Sequence, residues 1–139
     1  MQVLFTFAEL VQSLNHAGDL ESLARAVDVA IRVRRFGYHG TRDQVLEQFD
    51  GMEQVQQWLQ RTPATIHFEL EAATLQVIGP DQYSIRYRLT GPDDFVGGGL
   101  WQAVVGSGGK LQTLDHRPDD LDPKYGAAVL ESGHRGHAH

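Results

Sequence analysis

Residues 66–117 read IHFELEAATLQVIGPDQYSIRYRLTGPDDFVGGGLWQAVVGSGGKLQTLDHR, and their pattern decides the fold. β-Branched and aromatic residues rise here, and turn-forming residues recur at hairpin intervals. Strands are expected over residues 66–78, 83–90, 95–105 and 111–117. The connections 79–82, 91–94 and 106–109 are dominated by Gly, Pro and Asp, which suit tight antiparallel turns, so the segment reads as a meander. In its first strand the alternation runs through Ile66, Phe68 and Leu70 and then changes register to Leu75 and Val77. A bulge is expected near residues 72–74, and a bulge bends a sheet.

The half that precedes the meander is helical in pattern. Thr6 and Glu9 have capping-box spacing, and Phe5 and Leu10 can form a hydrophobic staple, which predicts a helix beginning at Phe7. Phe7, Leu10, Val11 and Leu14 give it one apolar stripe, and Gly18 ends it. Asp19 is a good N-cap for a short second helix with Leu20, Leu23, Ala24 and Val27 on one face. Val29, Ile31 and Val33 then alternate with Ala30, Arg32 and Arg34, predicting a strand that runs to Phe36. Residues 37–50 carry no decisive signal. Asp50 with Glu53 starts a third helix over about residues 51–61, with Met52, Val55, Trp58 and Leu59 on its apolar face and Thr62–Pro63 as its stop.

A chain of 139 residues with 41% hydrophobic and 22% charged residues suits one globular domain with a single core. We assign residues 1–120 to that domain and residues 121–139, rich in His and Gly, to a flexible tail. The net charge of −6 opposes the electrostatic footprint of a nucleic-acid binder. With no cysteine, disulfides, thiolate metal sites and a cysteine nucleophile are excluded. The start of the chain lacks the basic region of a secretory signal, and no apolar run is long enough to span a bilayer. A cytoplasmic protein with no membrane partner is expected.

Three segments carry a family resemblance. AGDLESLARAVD (17–28) resembles the second helix and first strand of the SnoaL-like branch of the nuclear transport factor 2-like superfamily. FDGMEQVQQWL (49–59) resembles its glycine-started third helix, and GGKLQTLDHRPDDL (108–121) its last hairpin and strand. The resemblance covers about residues 5–120. It implies an α+β, cystatin-like cone in which about three N-terminal helices pack on a curved, mainly antiparallel sheet. It also implies an apolar pocket inside the cone and, commonly, a homodimer formed through the outer sheet face. Members include polyketide cyclases, ketosteroid isomerase, limonene-epoxide hydrolase and scytalone dehydratase, beside non-catalytic carriers and interaction domains, so fold alone does not select the function. Ketosteroid isomerase departs from this chain in its oxyanion-hole tyrosine, because the first helix here carries Phe5 and Phe7 and no Tyr.

In such a cone, acid–base chemistry needs a carboxylate or His whose pKa is tuned by apolar walls. Asp115 is the first catalytic candidate, since it shares an alternation with Leu111 and Thr113 and the resemblance places a functional acid close by. His116 is the second. The two should face opposite sides of an extended strand unless a bulge intervenes, and a charge in water at a strand end is the bland alternative for Asp115. Tyr87, on one strand face with Tyr83, Ile85 and Leu89, can offer a hydroxyl to a ligand, or serve as ordinary core. Trp58 and Trp101 suit an aromatic guest, although Trp58, on the apolar face of its helix, reads equally as core, and Tyr38 beside His39 can cover the mouth from a loop or simply lie in an exposed one. Arg86 and Arg88 lie on the other face with Ser84 and Thr90. Gly97–Gly99 signal the close approach of a backbone or ligand and, without the spacing or a following helix, are no dinucleotide fingerprint. His134, His137 and His139 lack carboxylate or Cys partners, so no functional metal and no other cofactor is expected.

Two functions fit. In one, the cone encloses a small apolar molecule and supports cofactor-independent acid–base chemistry of cyclase, isomerase or hydratase type. In the other, the cone is filled by its own side chains and the domain is a non-catalytic, dimeric interaction module. The sheet favours a dimer because Trp101, Ala103 and Val105 on one face and Val96, Leu100 and Val104 on the other are both apolar, and a sheet buried on both faces needs a second cover.

Overall fold

The computed structural model of the chain describes residues 2–12, 20–37, 43–60, 65 and 67–119. Its elements in chain order are α1 (Gln2–Gln12), α2 (Leu20–Ala26), β1 (Val27–Phe36), β2 (Val45–Asp50), α3 (Met52–Leu59), β3 (His67–Gly79), β4 (Gln82–Thr90), β5 (Val96–Val105) and β6 (Leu111–Pro118). One six-stranded sheet has the order β2-β1-β6-β5-β4-β3. The meander β3 to β6 is antiparallel throughout, and its last strand docks parallel to β1, which in turn pairs antiparallel with β2.

The α+β class holds, and the helix arrangement is corrected. Two helices precede the first strand, and the third is inserted between β2 and β3. Helix α1 already includes Gln2, so Thr6 is not its cap. Thr6 lies one turn inside, and its hydroxyl donates to the Gln2 carbonyl at 3.3 Å, the back-bonding available to a helical Thr. Val27 opens β1 rather than closing α2. Strand β2, which the sequence left unassigned, is an edge strand with its side chains largely exposed, so it carries little apolar alternation. No helix among the described residues is long and apolar enough to cross a membrane.

All three helices pack on one face of the sheet, here called the inner face. Val3, Leu4 and Phe7 of α1, Leu23 and Ala26 of α2, and Val55 and Leu59 of α3 join Ile31, Val33, Phe68, Leu70, Ile85, Tyr87, Trp101, Ala103, Leu111 and Leu114 in one buried cluster. Gly51 fixes the turn from β2 into α3. Its φ of 86° suits Gly, its N–H donates to the Ile31 carbonyl at 2.8 Å, and its carbonyl accepts from Val55 N–H at 3.1 Å. That corner sets α3, and with it Trp58, against the β1–β6 end of the sheet.

Two irregularities shape the inner face. Between the pairs Glu71–Arg86 and Gln76–Ser84, β3 carries three residues more than β4, which is the expected bulge. Thr74 caps it, donating to the Glu71 carbonyl at 2.7 Å and accepting the Arg86 N–H at 2.8 Å. The second irregularity lies in β6, where Val104 faces Thr113 but Val105 faces Leu111. Gln112 is thus an extra residue, and its insertion changes which side chains of β6 point inward.

Candidate functional site

Past Gln112 the inward residues of β6 are Leu114 and His116, and the outward ones are Thr113, Asp115 and Arg117. Cross-strand partners share a face, so His116 stands beside Trp101 of β5 and Arg35 of β1, while Asp115 stands beside Gln102 and Arg34. The expectation that Asp115 lines the inside is therefore corrected. Its carboxylate lies on the outer face and accepts a bidentate pair from Arg34, Nε at 2.9 Å and Nη2 at 2.7 Å. The same contact raises the Arg34 pKa above its ordinary value. Near it, Arg117 lies 3.8 Å above the Phe36 ring and donates to Gln102 at 2.7 Å.

His116 occupies the inner face. The indole N–H of Trp101 donates to its Nδ1 at 2.9 Å, and the Tyr87 hydroxyl lies 3.0 Å from its Nε2. The Tyr87 ring stacks on the imidazole with centroids 4.8 Å apart. Trp58 of α3 meets it edge-on at 5.7 Å and itself stacks on Phe49 of β2, also at 5.7 Å. Burial, and secondarily the Arg35 cation, push the His116 pKa from 6.5 down to about 3, so the ring is neutral at physiological pH. Arg35 is itself buried on the inner face and donates to Glu47 of β2 at 2.7 Å.

Behind this pair the interior is closed by aromatic rings. Trp101 is fully buried and packs against Phe68 at 4.9 Å and Phe7 at 5.7 Å. Tyr87 is 1% exposed, and its hydroxyl occupies the space a side chain would need at Gly99. The neighbouring Gly98 faces the Tyr87 carbonyl so closely that a Cβ there would stand 2.7 Å from it. The glycine run thus serves backbone and tyrosine approach, as its composition suggested. Towards α3 the site is more open, since His116, Trp58 and Phe49 are all only partly buried. A separate open groove of about 230 Å³, lined by Asp28, Ala30, Arg32, Gln112 and Thr113, lies on the outer side of the β1–β6 seam. It holds none of the aromatic or imidazole groups and is not the candidate site.

Of the sequence-derived site residues, the structure brings together His116, Trp58, Tyr87 and Trp101 and separates Asp115 from them. Tyr38 and His39, and the histidines at 134, 137 and 139, lie outside the described residues. Among the described residues no group of three His, Asp or Glu side chains could hold a metal ion. Sequence reasoning missed Arg35, Glu47 and Phe49. The signal for Arg35 was its parity with Ile31 and Val33, which makes it an inward charge in need of a partner. Glu47 and Phe49 could not be found before β2 was recognised as a strand.

The geometry can be set beside known proteins. The solved structures similar to it include a nuclear transport factor 2-like protein of unknown function from Mesorhizobium loti, with TM-score 0.63 and 17% identity over 84% of this chain and 88% of that one. A cystatin-like fold protein from Silicibacter pomeroyi matches with TM-score 0.65 and 13% identity over 96% of this chain and 84% of that one. A SnoaL-like family member from Agrobacterium tumefaciens matches with TM-score 0.60 and 20% identity over 86% and 99%. The fold is nuclear transport factor 2-like. No family model matches the chain, and no curated protein does. At these identities it is the nuclear transport factor 2-like backbone that is shared, with its cystatin-like arrangement of sheet and helices.

Proposed function

We propose that the protein binds a small, largely apolar molecule at the Trp58–His116 end of the inner face, with cyclase, isomerase or hydratase-type acid–base chemistry as the reaction class such a site suits. The observation that supports this reading is a neutral imidazole held on the inner face, in hydrogen-bond contact with a phenol and an indole and partly accessible beside Trp58. Aromatic walls with one or a few polar groups are the usual make-up of a small-molecule site. The reading is tested by titrating the protein with N-phenyl-1-naphthylamine, an uncharged fluorescent aromatic. Saturable enhancement at micromolar concentration is expected, weakened at least tenfold by Trp58→Ala in a variant whose circular dichroism matches the wild type. Absence of saturable binding overturns the reading.

One observation favours the alternative of a non-catalytic interaction module. Phe7, Phe68, Tyr87 and Trp101 fill the interior behind His116, so a ligand has access to the α3 end alone. In that case the outer face is the working surface. For either reading we propose a homodimer through the outer face, where Leu100 and Val104 are half-buried and Val96 is exposed. Light scattering at tens of micromolar should return twice the mass of the 15.5 kDa chain, because an interface of about 1,600 Å² persists in that range. A monomer at that concentration overturns the proposal.

A further inference from the structure

The contacts of His116 have a direction, and it follows from donor and acceptor chemistry alone. An indole nitrogen can donate a hydrogen bond and cannot accept one. Trp101 Nε1 stands 2.9 Å from His116 Nδ1, so Nδ1 must present its lone pair. A neutral imidazole carries one proton, which then resides on Nε2. The Tyr87 oxygen, 3.0 Å from Nε2, is therefore the acceptor of that proton, and the phenol must turn its own O–H elsewhere.

The surroundings hold this arrangement. Trp101 is wedged between Phe7 and Phe68 and fully buried, so its indole cannot rotate to release Nδ1. A second proton on the ring would set Nδ1–H against the indole N–H. The groups facing the imidazole offer that proton little support. Arg35 of β1 is a cation, its neighbour Glu47 of β2 is engaged by Arg35 at 2.7 Å, Tyr87 of β4 is neutral, and α3 contributes the indole of Trp58.

We infer that Trp101 is a positioning residue that fixes His116 in the Nε2-protonated tautomer, so that the imidazole donates towards Tyr87 and takes no proton from a ligand. The inference rests on the reading of this region as a ligand site, and it narrows that reading. Among the reaction types the fold suits, those that use His116 as the base are removed. The ring instead belongs to a chain of donors running from Trp101 through His116 to Tyr87.

The tautomer is read by long-range proton–nitrogen correlation of the histidine rings in uniformly ¹⁵N-labelled protein, with the His116 signals assigned by their loss in His116→Gln. The expected wild-type pattern is Nδ1 in the unprotonated range and Nε2 in the protonated range, unchanged from pH 7.5 to pH 5. Trp101→Phe keeps an aromatic ring and removes the donor. It should give a mixture of tautomers and move the His116 midpoint up by at least one pH unit. An Nδ1-protonated wild type, or a Trp101→Phe protein with unchanged tautomer and midpoint, overturns the inference. Tyr87→Phe keeps the indole and removes the acceptor, which covers the case in which Trp101→Phe does not fold. Its His116 must remain Nε2-protonated, and a change of tautomer there assigns control to the phenol and overturns the inference. The two proposals fail separately. Without naphthylamine binding the ligand reading falls while the tautomer stands, and binding to an Nδ1-protonated wild type does the reverse.

Discussion

Asp115 and His116 are neighbours in sequence and live in different chemical worlds. Asp115, on the outer face, is a charged group answered by a charged group, with Arg34 reaching it at 2.7 Å and 40% of that arginine side chain still in water. His116, on the inner face, is kept neutral by burial and satisfied by an indole and a phenol. One side of the strand solves its polarity by ion pairing beside solvent, and the other by removing the charge. A titratable residue therefore takes its character from the face it occupies more than from its type.

The contrast breaks most visibly with acid. The unfolded chain protonates His116 near pH 6.5, whereas the folded chain does so only near pH 3. Above pH 6.5 the ring is neutral in both states and contributes nothing to the pH dependence. Between the two values the unfolded chain holds a proton the folded one lacks, so stability falls with falling pH, by roughly 4–5 kcal/mol across the window. Urea midpoints of wild type and His116→Gln, compared from pH 7 to pH 4, should diverge in that direction, with the variant losing less. Parallel curves would mean that His116 is not the buried neutral group.

A smaller effect is expected from crowding the inner face. Gly99→Ala places a methyl where the Tyr87 hydroxyl and the Arg117 carbonyl already sit. Overpacking of this kind costs about 1–3 kcal/mol, read as a lower urea midpoint, and the near-ultraviolet dichroism of Tyr87 and Trp101 should change with it. On the outer face, Asp115→Asn leaves Arg34 half-exposed and still hydrated, and the expected loss is about 1 kcal/mol. Asp50→Asn should be the weakest change. Arg32 and Asp50 are both more than half exposed, at 57% and 53%, and its midpoint should match the wild type at ordinary salt.

The meander was legible because each strand buries one face, so apolar alternation and glycine-rich turns announce it. The family likeness was legible for the same reason, since element order and spacing are set by the core. Asp115 was assigned to the inner face because counting by twos from Leu111 passes through Thr113 to Asp115. The extra residue at Gln112 is invisible to that count, being specified by the pairing of β6 with β5 and β1. Leu114, apolar and off the count, was the available warning. Arg35 and Glu47 escaped notice because a buried ion pair joins two strands, one of which, β2, is an exposed edge with weak alternation. The Trp101–His116–Tyr87 contact unites three strands, and only its members, not their hydrogen bonds, could be read from the sequence.

Gln112 works as a frame shift written in three dimensions. Everything after it on β6 is read one position out of step, which is how the imidazole comes to lie indoors and the carboxylate outdoors. Deleting that single residue would place Thr113 directly after Leu111 in plain alternation and leave every later pairing as it is, with the imidazole still indoors and the carboxylate still outdoors.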